Sequence, residues 1–144
     1  MMPTVLFLCS GNYYRSRFAE IFFNSLAEQN GLAWKADSKG FRLSPRNVGP
    51  ISHHAISGLQ TRGIPLPEPH RFPLVVDGRD FETFDQVVAV KEAEHRPMML
   101  ERFPTWAERI EYWHIHDIDF AEPDVALVKL EVQLRKFVGR LRRS

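Results

Sequence analysis

The sequence predicts an α/β fold built on a parallel sheet. Three observations predict it. Thr4 to Leu8 is a continuous apolar run, the type found where a strand is buried on both faces. Short β-rich runs then alternate with longer amphipathic ones, which calls for helices covering a parallel sheet. The 144 residues are 44% hydrophobic and 26% charged, enough for one compact domain spanning 1–144.

Each element follows from local pattern. After the first strand, Ser16 to Gly31 repeats apolar residues at helical spacing (Phe18, Ile21, Phe22, Leu26), and Gly31 supplies the stop. Leu32 to Ser38 is a candidate second strand, followed by the turn-rich GFRLSPRNVGP. Ile51 to Gly63 reads as a second helix, and Pro65, Pro67 and Pro69 then force an extended loop. Gln86 to Val90 is the third strand. Residues 91 to 103 form a helix weakened by Pro97, and Ile110 to Ile115 is the fourth strand. From Pro123, a residue suited to a first helical position, Leu127, Leu130, Leu134, Val138 and Leu141 share one face of a closing helix.

Composition narrows the function. The formal charge is +1, with the cluster Arg135, Lys136, Arg140, Arg142 and Arg143 confined to the chain's end, where it reads as a solvated helix terminus. Neither nucleic acid nor a membrane is an expected partner, and no stretch approaches the roughly 20 apolar residues of a membrane span. The opening MMPTVLFLC lacks a basic start and a small-residue cleavage site and reads as a strand. A single cysteine cannot form an internal disulfide, and the expected location is cytoplasmic.

That cysteine stands where chemistry is expected. Ligands of parallel sheets bind at the carboxyl ends of the strands, and Cys9 ends the first one. A five-residue loop separates it from Arg15, so the backbone N–H groups can curl around an anion, and the following helix N-terminus adds to the same field. Arg15 offers a planar, bidentate partner to phosphate. Gly11 and Asn12 tolerate the backbone angles of a tight loop. Such a field favours the thiolate, the reactive form of cysteine.

Cys9-Ser10-Gly11-Asn12-Tyr13-Tyr14-Arg15-Ser16 resembles the phosphate-binding loop of the low-molecular-weight protein tyrosine phosphatase family, C-x-G-N-x-C-R-S-P. Ser38-Lys39-Gly40 resembles its S-A-G segment, and Gly63-Ile64 with His70-Arg71 its G-I…H-x-A-R loop. Phe84 to Ala89 resembles the strand that follows. The resemblance implies a flavodoxin-like four-stranded parallel sheet with helices on both faces. It implies attack by Cys9 on phosphorus, Arg15 and the loop residues 10–16 on the phosphate oxygens, and Ser16 as donor to the thiolate. Asn12, Ser38 and His70 would form a polar network supporting the loop. No cofactor and no metal are implied. The partner would be a phosphotyrosine-containing protein or a small aryl phosphate.

Departures from the family pattern qualify this. Tyr14 stands at the second cysteine, Arg17 at the proline, and Lys91 at an aspartate after the third strand. No Asp-Pro follows the fourth strand, where the family carries its general acid and where Ile118 now stands. Asp117, directly after the strand, is preferred over Asp119 for that role. Tyr13, Tyr14, Phe41 and Phe120 are candidates to wall the pocket, and Phe41 and Arg42 to touch the leaving group. Two alternatives remain at this point: a weakly catalytic phosphate or phosphopeptide binder, and an arsenate reductase that uses an external thiol. His114 and His116, alternating ahead of Asp117 and Asp119, have the spacing of a metal pair, but the phosphatase chemistry needs none.

Overall fold

The computed structural model describes residues 2–68, 70–117 and 121–143. Four parallel strands, β1 (Thr4–Cys9), β2 (Lys35–Gly40), β3 (Gln86–Ala89) and β4 (Glu111–Tyr112), form a sheet in the order β2-β1-β3-β4. The order implies crossovers on both faces. Helices α1 (Arg15–Gln29), α2 (His53–Thr61) and α5 (Pro123–Arg142) pack on one face; α3 (Gly78–Thr83) and α4 (Glu92–Arg102) pack on the other. The sheet is the one implied by the resemblance.

β1 explains why its sequence is apolar throughout. Side chains alternate across a strand, so Val5, Phe7 and Cys9 enter the core under α1 and α5, while Leu6 and Leu8 enter the core under α3 and α4. Phe7 is the hub of the larger core, its ring centroid 5.8 Å from Phe23, 5.7 Å from Trp113 and 6.1 Å from Phe137. The stripe expected on the closing helix is buried in full at Leu127, Leu130, Leu134, Val138 and Leu141. Pro97 lies inside α4, which continues past it to Arg102.

Some boundaries differ from expectation. The second strand lies three residues later than Leu32, because its register is set by pairing with β1, from Thr4 opposite Lys35 to Cys9 opposite Gly40. The fourth strand keeps only two of the residues expected for it, since β3 offers it only Val88 and Ala89 as partners. α3 was unexpected, although Asp77 and Asp80 close a capping box at its start.

Replacing Phe7 by Ala should remove about 3–5 kcal/mol of stability, read as a lower denaturation midpoint with an unchanged slope in urea unfolding.

Candidate active site

Cys9, the loop after it and the start of α1 meet Gly40 and residues 115–117 at the carboxyl end of the sheet. The loop turns at Asn12, whose φ of 51° is the one left-handed value among the described non-glycine residues. Gly11 needs no such conformation, which corrects the expectation that both residues supply it. Asparagine tolerates this region better than most residues, and here its side chain is fully engaged. Its Nδ2 donates to Ser16 Oγ and to Ser38 Oγ, each at 2.9 Å, and its Oδ1 accepts from Arg71 Nη1 and from Leu74 N, each at 3.0 Å.

Two backbone segments hold the loop from outside. Phe41 N donates to Cys9 O and Arg42 N to Ser10 O, while Ser52 N donates to Tyr13 O. Gly40 leaves room for this approach: a Cβ there would stand 2.8 Å from both Asn12 N and Ser10 O.

The polar network behind the loop differs from expectation at one position. Asn12 and Ser38 belong to it. Arg71 takes the place expected of His70, donating from Nη2 to Ser38 O at 2.6 Å and pairing with Asp37 at 3.0 Å. His70 Nε2 lies 3.3 Å from Glu68 and is buried without a hydrogen-bond partner among the described residues. Spacing in a proline-rich loop fixes no register, so it does not distinguish His70 from Arg71. Glu20 completes the network by accepting from Ser38 Oγ. Arg17, at the family's proline, is buried and braces the loops by donating to Arg71 O at 2.9 Å.

Cys9 Sγ and Ser16 Oγ are hydrogen-bonded at 3.0 Å. Arg15 is only 1% exposed. Its Nη1 donates to Ile115 O at 3.0 Å, its Nη2 pairs with Glu94 at 3.0 Å and lies 3.5 Å from Asp117, and its Nε has no protein partner among the described residues. A buried guanidinium edge without a partner is costly, and it suits an anion held by the loop.

Glu94 and His95 were not anticipated. Both lie in the first turn of α4, after β3. Glu94 accepts from Ser10 Oγ and from Arg15, and His95 Nε2 lies 3.1 Å from Glu94 and 3.2 Å from Ser10 Oγ. His95 Nδ1 accepts from Lys91 N at 3.1 Å, so Nε2 carries the proton of the neutral ring and donates it. Burial alone would raise the pKa of Glu94; hydrogen bonds from His95 and Arg15, the charge of Arg15 and the Ser10 hydroxyl outweigh it and hold the carboxyl well below the usual range. Burial keeps His95 neutral to lower pH than usual, against the pull of Glu94. The signal available in the sequence was Lys91: with no carboxylate there, one was to be sought a helical turn later.

Above the loop lies a cavity of about 590 Å³, lined among others by Cys9, Tyr13, Tyr14, Arg42, His54 and Asp117. Tyr14 is buried and its hydroxyl has no protein partner among the described residues; burial first, then Asp117, push its pKa up to about 12, with Arg15 opposing. Tyr13 is half-buried and donates to Val48 O at 2.5 Å. Phe41 does not line the cavity, contrary to expectation: it is buried against the His95 ring, centroids 5.3 Å apart. Arg42 does line it. Asp119, Phe120 and Ile118 lie outside the described residues. His114 is exposed with Nε2 3.9 Å from Glu92, and among the described residues no three His, Cys, Asp or Glu side chains gather where they could hold a metal.

Gly40→Ala should force the loop off its neighbours at a cost of about 1–3 kcal/mol and weaken vanadate affinity, measured by calorimetric titration. Glu94 links site charge to stability. Its folded pKa lies below the unfolded one, so it contributes stability above the ordinary carboxylate value of about 4.3 and loses it as pH falls toward its folded value. Unfolding free energy measured between about pH 6 and pH 2.5 should therefore fall less steeply in Glu94→Gln than in the wild type.

A family model described as low molecular weight phosphotyrosine protein phosphatase matches residues 4–138. A protein-arginine-phosphatase of Bacillus subtilis (strain 168) is 30% identical over 106 residues, covering 74% of this chain and 67% of that protein. The low molecular weight phosphotyrosine protein phosphatase of Homo sapiens is 31% identical over 98 residues, covering 66% of this chain and 59% of that one. The crystal structure of YfkJ from Bacillus subtilis superposes with a TM-score of 0.85 at 22% identity, covering 99% of this chain and 96% of that one, a likeness of fold. With the family's pattern matched along nearly its whole length, the chain belongs to the low molecular weight phosphotyrosine protein phosphatase family.

Proposed function

We propose that the protein hydrolyses aryl phosphate monoesters, phosphotyrosine in proteins above all, in two steps through a phosphocysteine. The observation that supports this most directly is the Cys9 thiol set in a loop beside a buried Arg15 whose Nε has no protein partner among the described residues. The phosphate would sit in the loop, its equatorial oxygens on the loop N–H groups and on Arg15, donors fixed before the charge spreads over those oxygens.

In the first step Cys9 Sγ attacks phosphorus in line, the bond to the aryl oxygen breaks, and that oxygen takes the proton of the Asp117 carboxyl. In the second, Asp117 removes a proton from water as it attacks phosphorus, and sulfur leaves with its electron pair. Ser16, hydrogen-bonded to Sγ, stabilises the departing thiolate. Glu94 and His95 act behind this machinery: they fix Arg15 and Ser10, so the guanidinium spends no reorganisation at the moment of reaction.

The curated bacterial relative carries the name of an arginine phosphatase, which makes phosphoarginine the rival substrate. The mouth argues for the aryl ester. It carries Arg42 and Arg46, which repel a guanidinium leaving group, together with the rings of Tyr13, Tyr14, His53 and His54, which suit an aromatic one. Arsenate reduction on this fold would have to draw its electrons from an external thiol, since the single cysteine leaves no internal relay.

Turnover of phosphotyrosine, an alkyl phosphate, phosphoarginine and a highly activated aryl phosphate tests the reading. Wild type should favour the aryl esters, and Cys9→Ser should bind vanadate or phosphate without turnover. Proton donation is typically worth about 10²–10⁴-fold, and least for good leaving groups. Asp117→Asn should therefore slow phosphotyrosine far more than the activated ester and flatten the basic limb of the pH-rate profile, with Asp119→Asn changing both only mildly. Turnover by Cys9→Ser would remove the nucleophile from the proposal; a large leaving-group-dependent loss in Asp119→Asn alone would move the acid two residues along.

A further inference from the structure

Above the phosphate loop the charge of the described lining becomes one-sided. Arg42 and Arg46 line its mouth and are exposed, and neither guanidinium has a carboxylate within ion-pair distance among the described residues. This is unlike Arg17, Arg62, Arg71 and Arg96, each of which is paired. Among the described residues Asp117 is the carboxylate that shares the lining, and it lies 3.5 Å from Arg15 at the floor. It is therefore already opposed by a buried cation and balances little of the rim.

The far wall has the same sign. α2 begins at His53, capped by Ser52, whose side chain accepts from His54 N at 3.1 Å. Ser52, His53 and His54 all line the cavity, so the positive end of this nine-residue helix opens onto it. The two arginines and the helix start stand on different segments, the loop after β2 and the beginning of α2. Positive potential thus borders the mouth from more than one side.

We infer that this rim selects phosphopeptides with carboxylate side chains beside the phosphorylated residue. The inference rests on the phosphatase reading of the floor and names its substrate class. A carboxylate presents two oxygens to the fork of an arginine, and an extended chain crossing a mouth of this size carries such groups on either side of the buried phosphate. Spread cations suit that arrangement better than they suit a second phosphate on one small molecule, which needs its cations at a single point. The field also acts at a distance, raising the encounter rate with acidic substrates in a salt-dependent way.

Phosphotyrosine peptides of equal length, flanked by Glu, by Gln or by Lys, test it in two readouts: kcat/KM with the wild type, and affinity for Cys9→Ser by fluorescence anisotropy. Exposed ion pairs are individually modest, so the Glu-flanked peptide should be favoured over the Gln-flanked one by about fivefold to twentyfold at low salt, with the Lys-flanked one below both. The preference should shrink toward unity in about 0.5 M salt. In Arg42→Gln/Arg46→Gln the ratio between the two peptides should collapse, whatever happens to the absolute rate. Equal affinity of Cys9→Ser for the three peptides, a ratio untouched by the double variant, or tighter binding of a small aryl bisphosphate than of the Glu-flanked peptide would overturn the inference. Loss of turnover on every ester, with the binding preference intact, would instead count against the phosphatase reading alone.

Discussion

The site depends on one side-chain amide. Asn12 holds a left-handed backbone in the loop after β1, and such a loop has no ladder of its own to keep it in shape. The amide has two N–H groups and two lone pairs to give, and all of them are used: Ser16 and Ser38 accept, Arg71 and Leu74 donate. Reversing the amide would turn its NH2 toward the Arg71 guanidinium and the Leu74 N–H, setting donor against donor. The network therefore fixes the orientation of Asn12, and with it the turn. Through Ser16 the same amide reaches the Cys9 sulfur, so loop shape and thiol position share one set of hydrogen bonds.

A second constraint is the cost of burying Arg15. A cation at this depth needs both charge compensation and filled donors. Glu94 and Asp117 supply the charge and Ile115 O accepts from Nη1, while Nε has no partner among the described residues. The division has a use. Groups that must stay fixed are tied to the protein, and on the proposed reading the Nε edge is kept for the phosphate. Lys91, at the position where the family pattern has an aspartate, brings no carboxylate, and Glu94 brings one to Arg15 from the first turn of α4. Glu94 in turn is held by Ser10 and by a histidine whose tautomer is set by the Lys91 N–H.

What the sequence revealed follows from the range of the interactions involved. The strand ending at Cys9, the helix from Arg15 and the stripe of α5 are local patterns, and each lies within a few residues of where it was expected. Lys35 to Gly40 is polar and gains its strand identity from pairing with β1, thirty-one residues away in register. Glu94 touches Arg15 across a separation of 79 residues, and no spacing rule spans that distance. Arg71 was missed by one residue because the prolines before it fix direction without fixing which side chain points inward. The loop motif itself was legible because nucleophile, turn residue and arginine are consecutive, and a strand and a helix at its two ends confine what the chain between them can do.

The two halves of the cavity are built to different tolerances, and this separates what they can recognise. The floor is set by strand ends, by Gly40 packed within reach of the loop backbone and by buried ion pairs, all of which resist change. The rim is carried by the exposed segment 42–48 and by the start of α2, where side chains meet solvent and substitutions disturb little of the core. On the proposed reading, phosphate, being invariant, is held by the buried floor, and the group attached to it meets the exposed rim. Phe41 and Arg42 mark the boundary between these regimes: Phe41 is sealed against His95 beneath the loop, and Arg42, one residue later, stands in the mouth.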